Sequence, residues 1–176
     1  MEFINTQLSV ADLPAIENLS LQPIHPSYKK VLQTEWRVTT VFLLLIAAAL
    51  IYFIPATREG IGWIVISAAA VLLSLIHFIS IERSFPFTAF AIREKDVILQ
   101  RGWLVRSVKI CPFNRIQNCS VQSGPLERNR QLASLVIYTA GSSGADMRIP
   151  GLQQEEADRL RYFILEKIHT EPDEAV

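Results

Sequence analysis

The chain has 176 residues, half of them hydrophobic, with a mean hydropathy of +0.26 and a formal net charge of zero. No nucleic-acid partner is expected, and two cysteines without nearby histidines make a poor metal site. The apolar excess is concentrated before Glu82, and the roughly 90 residues after it suffice for one small domain.

Residues 1–26 are mixed in character, with Pro14 and Pro23, and only 14–19 has a short helical pattern. They are expected to form a loosely held N-terminal arm. From Ser27 the pattern tightens: Tyr28, Val31, Leu32, Trp36 and Thr39 recur at three- and four-residue spacing, which predicts a juxtamembrane helix continuous with the apolar segment after it. Two uncharged stretches come next. Residues 38–57 lie between Arg37 and Arg58, and residues 60–81 between Glu59 and Glu82. Some 20 helical residues at about 1.5 Å each reach roughly 30 Å, the thickness of a bilayer's hydrocarbon core. With five residues between the apolar cores, the pair predicts a transmembrane hairpin, spans about 38–56 and 60–81, within a unit of residues 27–82.

An apolar run starting at position 38 is not a cleaved secretory signal. Lys29, Lys30 and Arg37 precede the first span and Arg83, Arg93 and Lys95 come after the second, so the positive-inside rule places both termini in the cytoplasm. Cys111 and Cys119 then face a reducing compartment and read as small apolar fillers rather than a disulfide or metal site. The sequons at Asn18 and Asn118 fall on the same side and are not expected to carry glycans. Tyr28, Trp36 and Trp63 are expected as membrane-interface anchors. Gly62, Ser67, Ala68, Ala69 and Ala70 suit close packing of the second helix on the first. His77 is the titratable group of the second span, about a turn from its cytoplasmic end.

After Glu82 the period becomes extended. Strands are expected at 85–92, 97–101, 104–110, 116–122, 134–140 and 146–149, with turns at 93–96, 123–125 and 141–144. Six short strands at regular spacing predict an antiparallel β-barrel or sandwich, its extended region ending at Pro150-Gly151. Residues 153–168 place Ala157, Leu160, Ile164 and Ile168 on one helical face, with Glu155 and Glu156 in the first turn and Lys167 in the last. This amphipathic helix is expected to cap the open end of the barrel, completing a domain of residues 83–170, with 171–176 as an acidic tail. Charge is divided along this region: residues 82–152 hold ten Lys/Arg against five Asp/Glu, and residues 153–176 three against seven.

The order of parts and several phrases resemble the bacterial pleckstrin-homology-like proteins called membrane-flanked-domain proteins, in their small two-span form. The phrases are Phe90-Ala91-Ile92-Arg93, Val97-Ile98-Leu99-Gln100-Arg101-Gly102, Ile110-Cys111-Pro112-Phe113-Asn114-Arg115-Ile116-Gln117-Asn118, Gly124-Pro125-Leu126-Glu127-Arg128, Ile137-Tyr138-Thr139-Ala140-Gly141 and Ile149-Pro150-Gly151-Leu152, with His25-Pro26 ahead of the first span. The resemblance covers most of residues 24–168. It implies an α+β membrane protein: a two-helix hairpin and then a PH-like barrel capped by a C-terminal helix, at the cytoplasmic face of a bacterial inner membrane. It implies no enzyme. Its members resemble partners of a larger relative carrying several such domains, domains of this fold tend to self-associate, and cell-envelope stress is the role suggested for them.

No catalytic signature is present: no glycine-rich phosphate loop, no zinc-binding histidine pair on a helix and no nucleophile elbow. No catalytic residue, metal or cofactor is expected. His25, His77 and His169 are scattered, and two helices alone enclose no channel for a proton path through His77. Gly141-Ser142-Ser143-Gly144, between two expected strands, is better explained by a hairpin turn than by an RNA-binding loop. The remaining candidate is a basic cluster of Arg101, Arg106, Lys109, Arg115, Arg128 and Arg130, a patch for anionic lipid or a protein partner that a solvated face paired with the acidic helix would equally explain. The sequence thus favours an interaction module that binds membrane lipids, copies of itself or a larger relative, over an anionic-lipid sensor.

Overall fold

The structure, a computed structural model, describes residues 20–57, 60–140 and 144–170. The expected helix at 14–19, the acidic tail, and Arg58, Glu59 and residues 141–143 lie outside the described residues.

Two long helices lead. Helix α1 (Ser27–Phe53) is continuous, and α2 (Gly62–Ser84) returns beside it after a short 3-10 turn at Pro55–Thr57. Their most apolar windows are only 6% and 11% buried within the fold, the reverse of a core helix, so these side chains require a lipid surround. Ala47 and Ala70 are the buried residues at mid-span, where small side chains let the axes approach. Towards the N-terminus of α1 the contacts turn polar. Trp36 Nε1 donates to the Ser74 carbonyl at 3.0 Å, and the Thr40 and Ser74 hydroxyls lie 2.8 Å apart. Beyond them Glu82 accepts from Lys29 at 2.7 Å and from Gln33 at 2.9 Å.

The sheet domain comes next. Strands β1 (Gln22–Pro23), β2 (Ala89–Ile92), β3 (Asp96–Arg101) and β4 (Ser107–Pro112) form one antiparallel sheet in that order, and β5 (Ile116–Gln122), β6 (Leu132–Thr139) and β7 (Met147–Gln153) form a second. Among the described residues no ladder joins the two, so the domain is a sandwich rather than a closed barrel. Alternation sends Val97 and Leu99, Cys111, Ile116 and Cys119, Leu135 and Ile137, and Met147 and Ile149 into one core. Helix α4 (Gln154–Thr170) closes it: Ala157 and Ile164 are fully buried against the sheets, with Leu160, Leu165 and Ile168 beside them. The predicted apolar stripe is thus the capping face.

Five local features differ from the sequence-based expectation. Residues 85–87 form a 3-10 turn rather than the start of the first expected strand, because Pro86 has no N–H to give a ladder. The end of the arm is not loose: Gln22 and Pro23 pair with Phe90 and Ala89, Ile24 is 4% exposed, and the His25 N–H donates to the Gly151 carbonyl at 2.9 Å. A two-residue strand has no period to read. Residues 104–106 are a turn rather than the start of β4, because Gly102 at φ +95° reverses the chain there. Residues 125–128 form a one-turn helix, α3 (Pro125–Arg128), started by Pro125 and capped by Glu127 on the Gly124 N–H at 2.9 Å. Strand β7 continues through Pro150-Gly151, since a register shift opposite β6 accommodates a proline that has no N–H to give.

Gly151 joins the sandwich to α1. It sits at φ +67°, and an added Cβ would fall 2.8 Å from both Cβ and Cγ of Tyr28. Gly151→Ala would therefore combine a left-handed backbone penalty with a clash, for a cost of about 2 kcal/mol or more. Thermal unfolding of the full chain in detergent should show a fall in Tm of several degrees, and an unchanged Tm would refute this close approach.

Candidate functional site

The topology gives the domain two ends. Helix α2 passes through a 3-10 turn at Phe85–Phe87 into β2, whose first residue Ala89 pairs with Gln100. The end of β3, the start of β4 and the turn between them therefore lie at the membrane-proximal end. Helix α3 packs on α1, which brings the connection between β5 and β6 to the same end. The turns at residues 93–95 and 113–115 are at the far end, where the Phe113 N–H donates to the Lys95 carbonyl at 3.0 Å.

This geometry divides the expected basic cluster. Arg101, Arg106, Arg128 and Arg130 are membrane-proximal, Lys109 is mid-strand, and Arg115 is at the far end. Three of them hold the structure together. Arg101 Nη2 donates to the Arg148 carbonyl at 2.5 Å, Lys109 Nζ to the Asp146 carbonyl at 3.1 Å, and Arg128 Nη2 to the Ser123 carbonyl at 3.4 Å. The first two lie on the core-facing side of the first sheet, in line with Leu99, and reach across the open seam to the β7 side. They take the place of a backbone ladder there. Arg106 lies 5.2 Å from the Phe87 ring, a cation–π contact with the helix-to-sheet connection.

At the junction with α1, Tyr28, Glu35, Arg101, Glu127 and Arg148 line a cleft of about 410 Å³. Glu127 is 5% exposed and fully engaged: it receives the Gly124 N–H, the Ser134 hydroxyl at 2.8 Å, and Arg148 at 3.7 Å. Burial pushes the Arg101 guanidinium below its ordinary pKa, and its Nε is buried without a hydrogen-bond partner among the described residues. The cleft balances two cations against two anions, so it is a polar junction with no net preference for anions. Of the expected interface anchors, Tyr28 packs on Gly151, Trp36 bonds to the Ser74 carbonyl and stacks at 4.9 Å on Phe78, and Trp63 is half exposed in the first turn of α2. His77 is exposed on α2.

A feature that charge counting does not find lies along β4. Among the described residues it is paired with β3 alone, and Ser107, Val108, Lys109 and Ile110 are all exposed. Val108 and Ile110, at 41% and 45% exposure, continue an outer face on which Ala91 and Ile98 are buried. The signal was present as apolar residues at alternate positions, but which face they take depends on the neighbouring strand.

Residues 38–168 match the family described as Bacterial PH domain, about three quarters of the sequence. The chain belongs to this family. A 72-residue stretch is 36% identical to the UPF0699 transmembrane protein YdbS of Bacillus subtilis (strain 168), covering 41% of this chain and 43% of that protein. The alignment thus spans less than half of this curated relative. No solved structure matches the chain. The two apolar helices and the transmembrane relative agree with a membrane location for this bacterial PH domain. Among the described residues no group of three His, Cys, Asp or Glu side chains could hold a metal.

Both thiols of this PH domain are buried in its core, and burial pushes their pKa values up, with Asp146 adding to the effect at Cys111. A folded pKa above the unfolded one means that the stabilisation is complete below the unfolded thiol value of about 8.5 and is lost as pH rises through the folded value. Unfolding followed against pH should show stability declining above about pH 8.5, and Cys111→Ala with Cys119→Ala should reduce that decline. Maleimide labelling should accelerate about tenfold or more on denaturation. Rapid labelling of the folded chain would contradict the burial.

Proposed function

We propose that this chain is a membrane-anchored interaction module. The hairpin holds a PH-like sandwich at the cytoplasmic face of the bacterial inner membrane, with both termini cytoplasmic, and the domain assembles with a second copy of itself or with a larger relative carrying several such domains. Its work is binding rather than catalysis. The carrying observation is the partly apolar edge of β4, which among the described residues pairs with β3 alone and carries the exposed Val108 and Ile110. An exposed edge of this kind is a template for strand addition. Lys109, often a blunting residue at such edges, is instead drawn to the Asp146 carbonyl. A service in envelope stress fits the family resemblance.

Purification in mild detergent with mass measurement tests this reading. The full chain should run as a dimer or larger assembly, or with the larger relative, and Val108→Glu with Ile110→Glu should lower the associated fraction about tenfold, the scale of a lost apolar contact of about 1.4 kcal/mol. A strict monomer without a co-purifying relative would defeat it.

A second reading, recognition of anionic lipid, draws on Arg101, Arg106, Arg128 and Arg130 at the membrane-proximal end. Each cation near an anionic surface contributes about 1 kcal/mol. In nanodiscs, hydrogen exchange over residues 101–106 and 125–130 should slow when anionic lipid replaces neutral lipid. Identical exchange in both would remove this reading.

A further inference from the structure

The turn between β3 and β4, residues 102–106, reads Gly-Trp-Leu-Val-Arg. Leu104 and Val105 are 79% and 76% exposed, more than any other large hydrophobic residue of the sheet domain among the described residues. Single exposed apolar side chains are ordinary, but two adjacent ones on a tip beside a membrane helix mark a contact surface. The shape of the tip is fixed. Gly102 adopts φ +95°, and a Cβ there would collide with the Val105 carbonyl oxygen.

Location decides what this tip meets. Its neighbours belong to the exit of α2: the Trp103 ring lies 6.0 Å from the guanidinium of Arg83, and Arg106 sits over Phe87. Arg83 is two residues beyond Ile81, the last uncharged residue of the span, or about 3 Å along the helix axis. A headgroup layer is roughly 5–7 Å deep, so Trp103 lies level with headgroups. The turn at the opposite end of β3, Arg93-Glu94-Lys95, is wholly charged and holds Arg93 on Asp96. One end of the hairpin is thus made for water and the other is not.

We propose that the β3–β4 turn is a third membrane contact, in which Leu104 and Val105 enter the headgroup–acyl boundary of the leaflet from which α2 emerges. Arg83 and Arg106 stand at phosphate level around Trp103, giving the apolar tip a cationic collar, the usual composition of a segment lying in an interface. With α1 and α2, the turn makes a third point of support, which fixes the tilt of the sandwich against the bilayer. The contact is hydrophobic, so it holds in lipid without net charge and does not depend on self-association or on the lipid-recognition reading above.

The test places a fluorophore at the tip of the full chain. Leu104→Cys and, separately, Val105→Cys are coupled to a nitrobenzoxadiazole maleimide and reconstituted into phosphatidylcholine vesicles, with the unsubstituted chain labelled in parallel as the blank for the two buried thiols. Glu94→Cys, at the far end, is the reference. Both tip probes should emit to the blue of the reference and be quenched about twofold or more by lipids carrying a nitroxide near the headgroup, with the reference unaffected. Water-like emission with quenching no greater than at position 94 would overturn the proposal. Blue-shifted emission without nitroxide quenching would overturn it as well, because the tip would then be covered by protein.

Discussion

The first turn of α1 is where the membrane and the domain become one object. Gly151 has no side chain and a left-handed backbone, so Tyr28 seats directly on β7, while the adjacent His25 N–H is bonded to the same glycine's carbonyl. At the same level Glu82 draws Lys29 and Gln33 of α1 onto the end of α2. The sandwich is therefore attached to both helices, by covalent connection to α2 and by packing against α1. A domain joined only through the short Phe85–Phe87 turn would be free to swing. Two attachments on a rigid hairpin give it one orientation.

That orientation gives the membrane-proximal end its character. Strand direction brings the β3–β4 turn, α3 and the start of α4 to the side where the helices emerge, and with them four of the six clustered cations. Arg101 and Lys109 look from the sequence like a free surface patch, yet both side chains are held across the seam between the two sheets. Each donates to a carbonyl on the β7 side, the Arg148 carbonyl for Arg101 and the Asp146 carbonyl for Lys109. Arg148 and Glu127 continue this polar network into the cleft beside α1. The polarity at this end is thus largely structural, and the surfaces left over for partners are the apolar ones.

Much of the fold was legible because its signals are local, a matter of uncharged length or of period. The two uncharged stretches appear where their length places them, and the stripe of Ala157, Leu160, Ile164 and Ile168 where a period of 3.6 does. The PH-like architecture was legible from its phrases, several of which sit at bends that need a particular residue, such as Gly102, Pro125 and Gly151. Nothing in Gln22-Pro23 announces a strand, since its pairing depends on an edge supplied by Ala89 and Phe90, more than sixty residues later. The one-turn helix at Pro125 is equally short and owes its stability to Glu127, whose carboxylate is held by Ser134 of a neighbouring strand.

By itself, the sequence determined two apolar helices long enough to cross a membrane, followed by a small antiparallel domain closed by one helix. These are consequences of local composition and period, to which lipid and core respond directly. Only the tertiary structure decided that the sheets stay unjoined, that the arm becomes a strand, that two cations serve the seam, and that β4 is left as an edge beside an apolar tip. Each of these depends on which segment lies next to which, and a side chain's role changes with its neighbour even when its own residue type and local period do not.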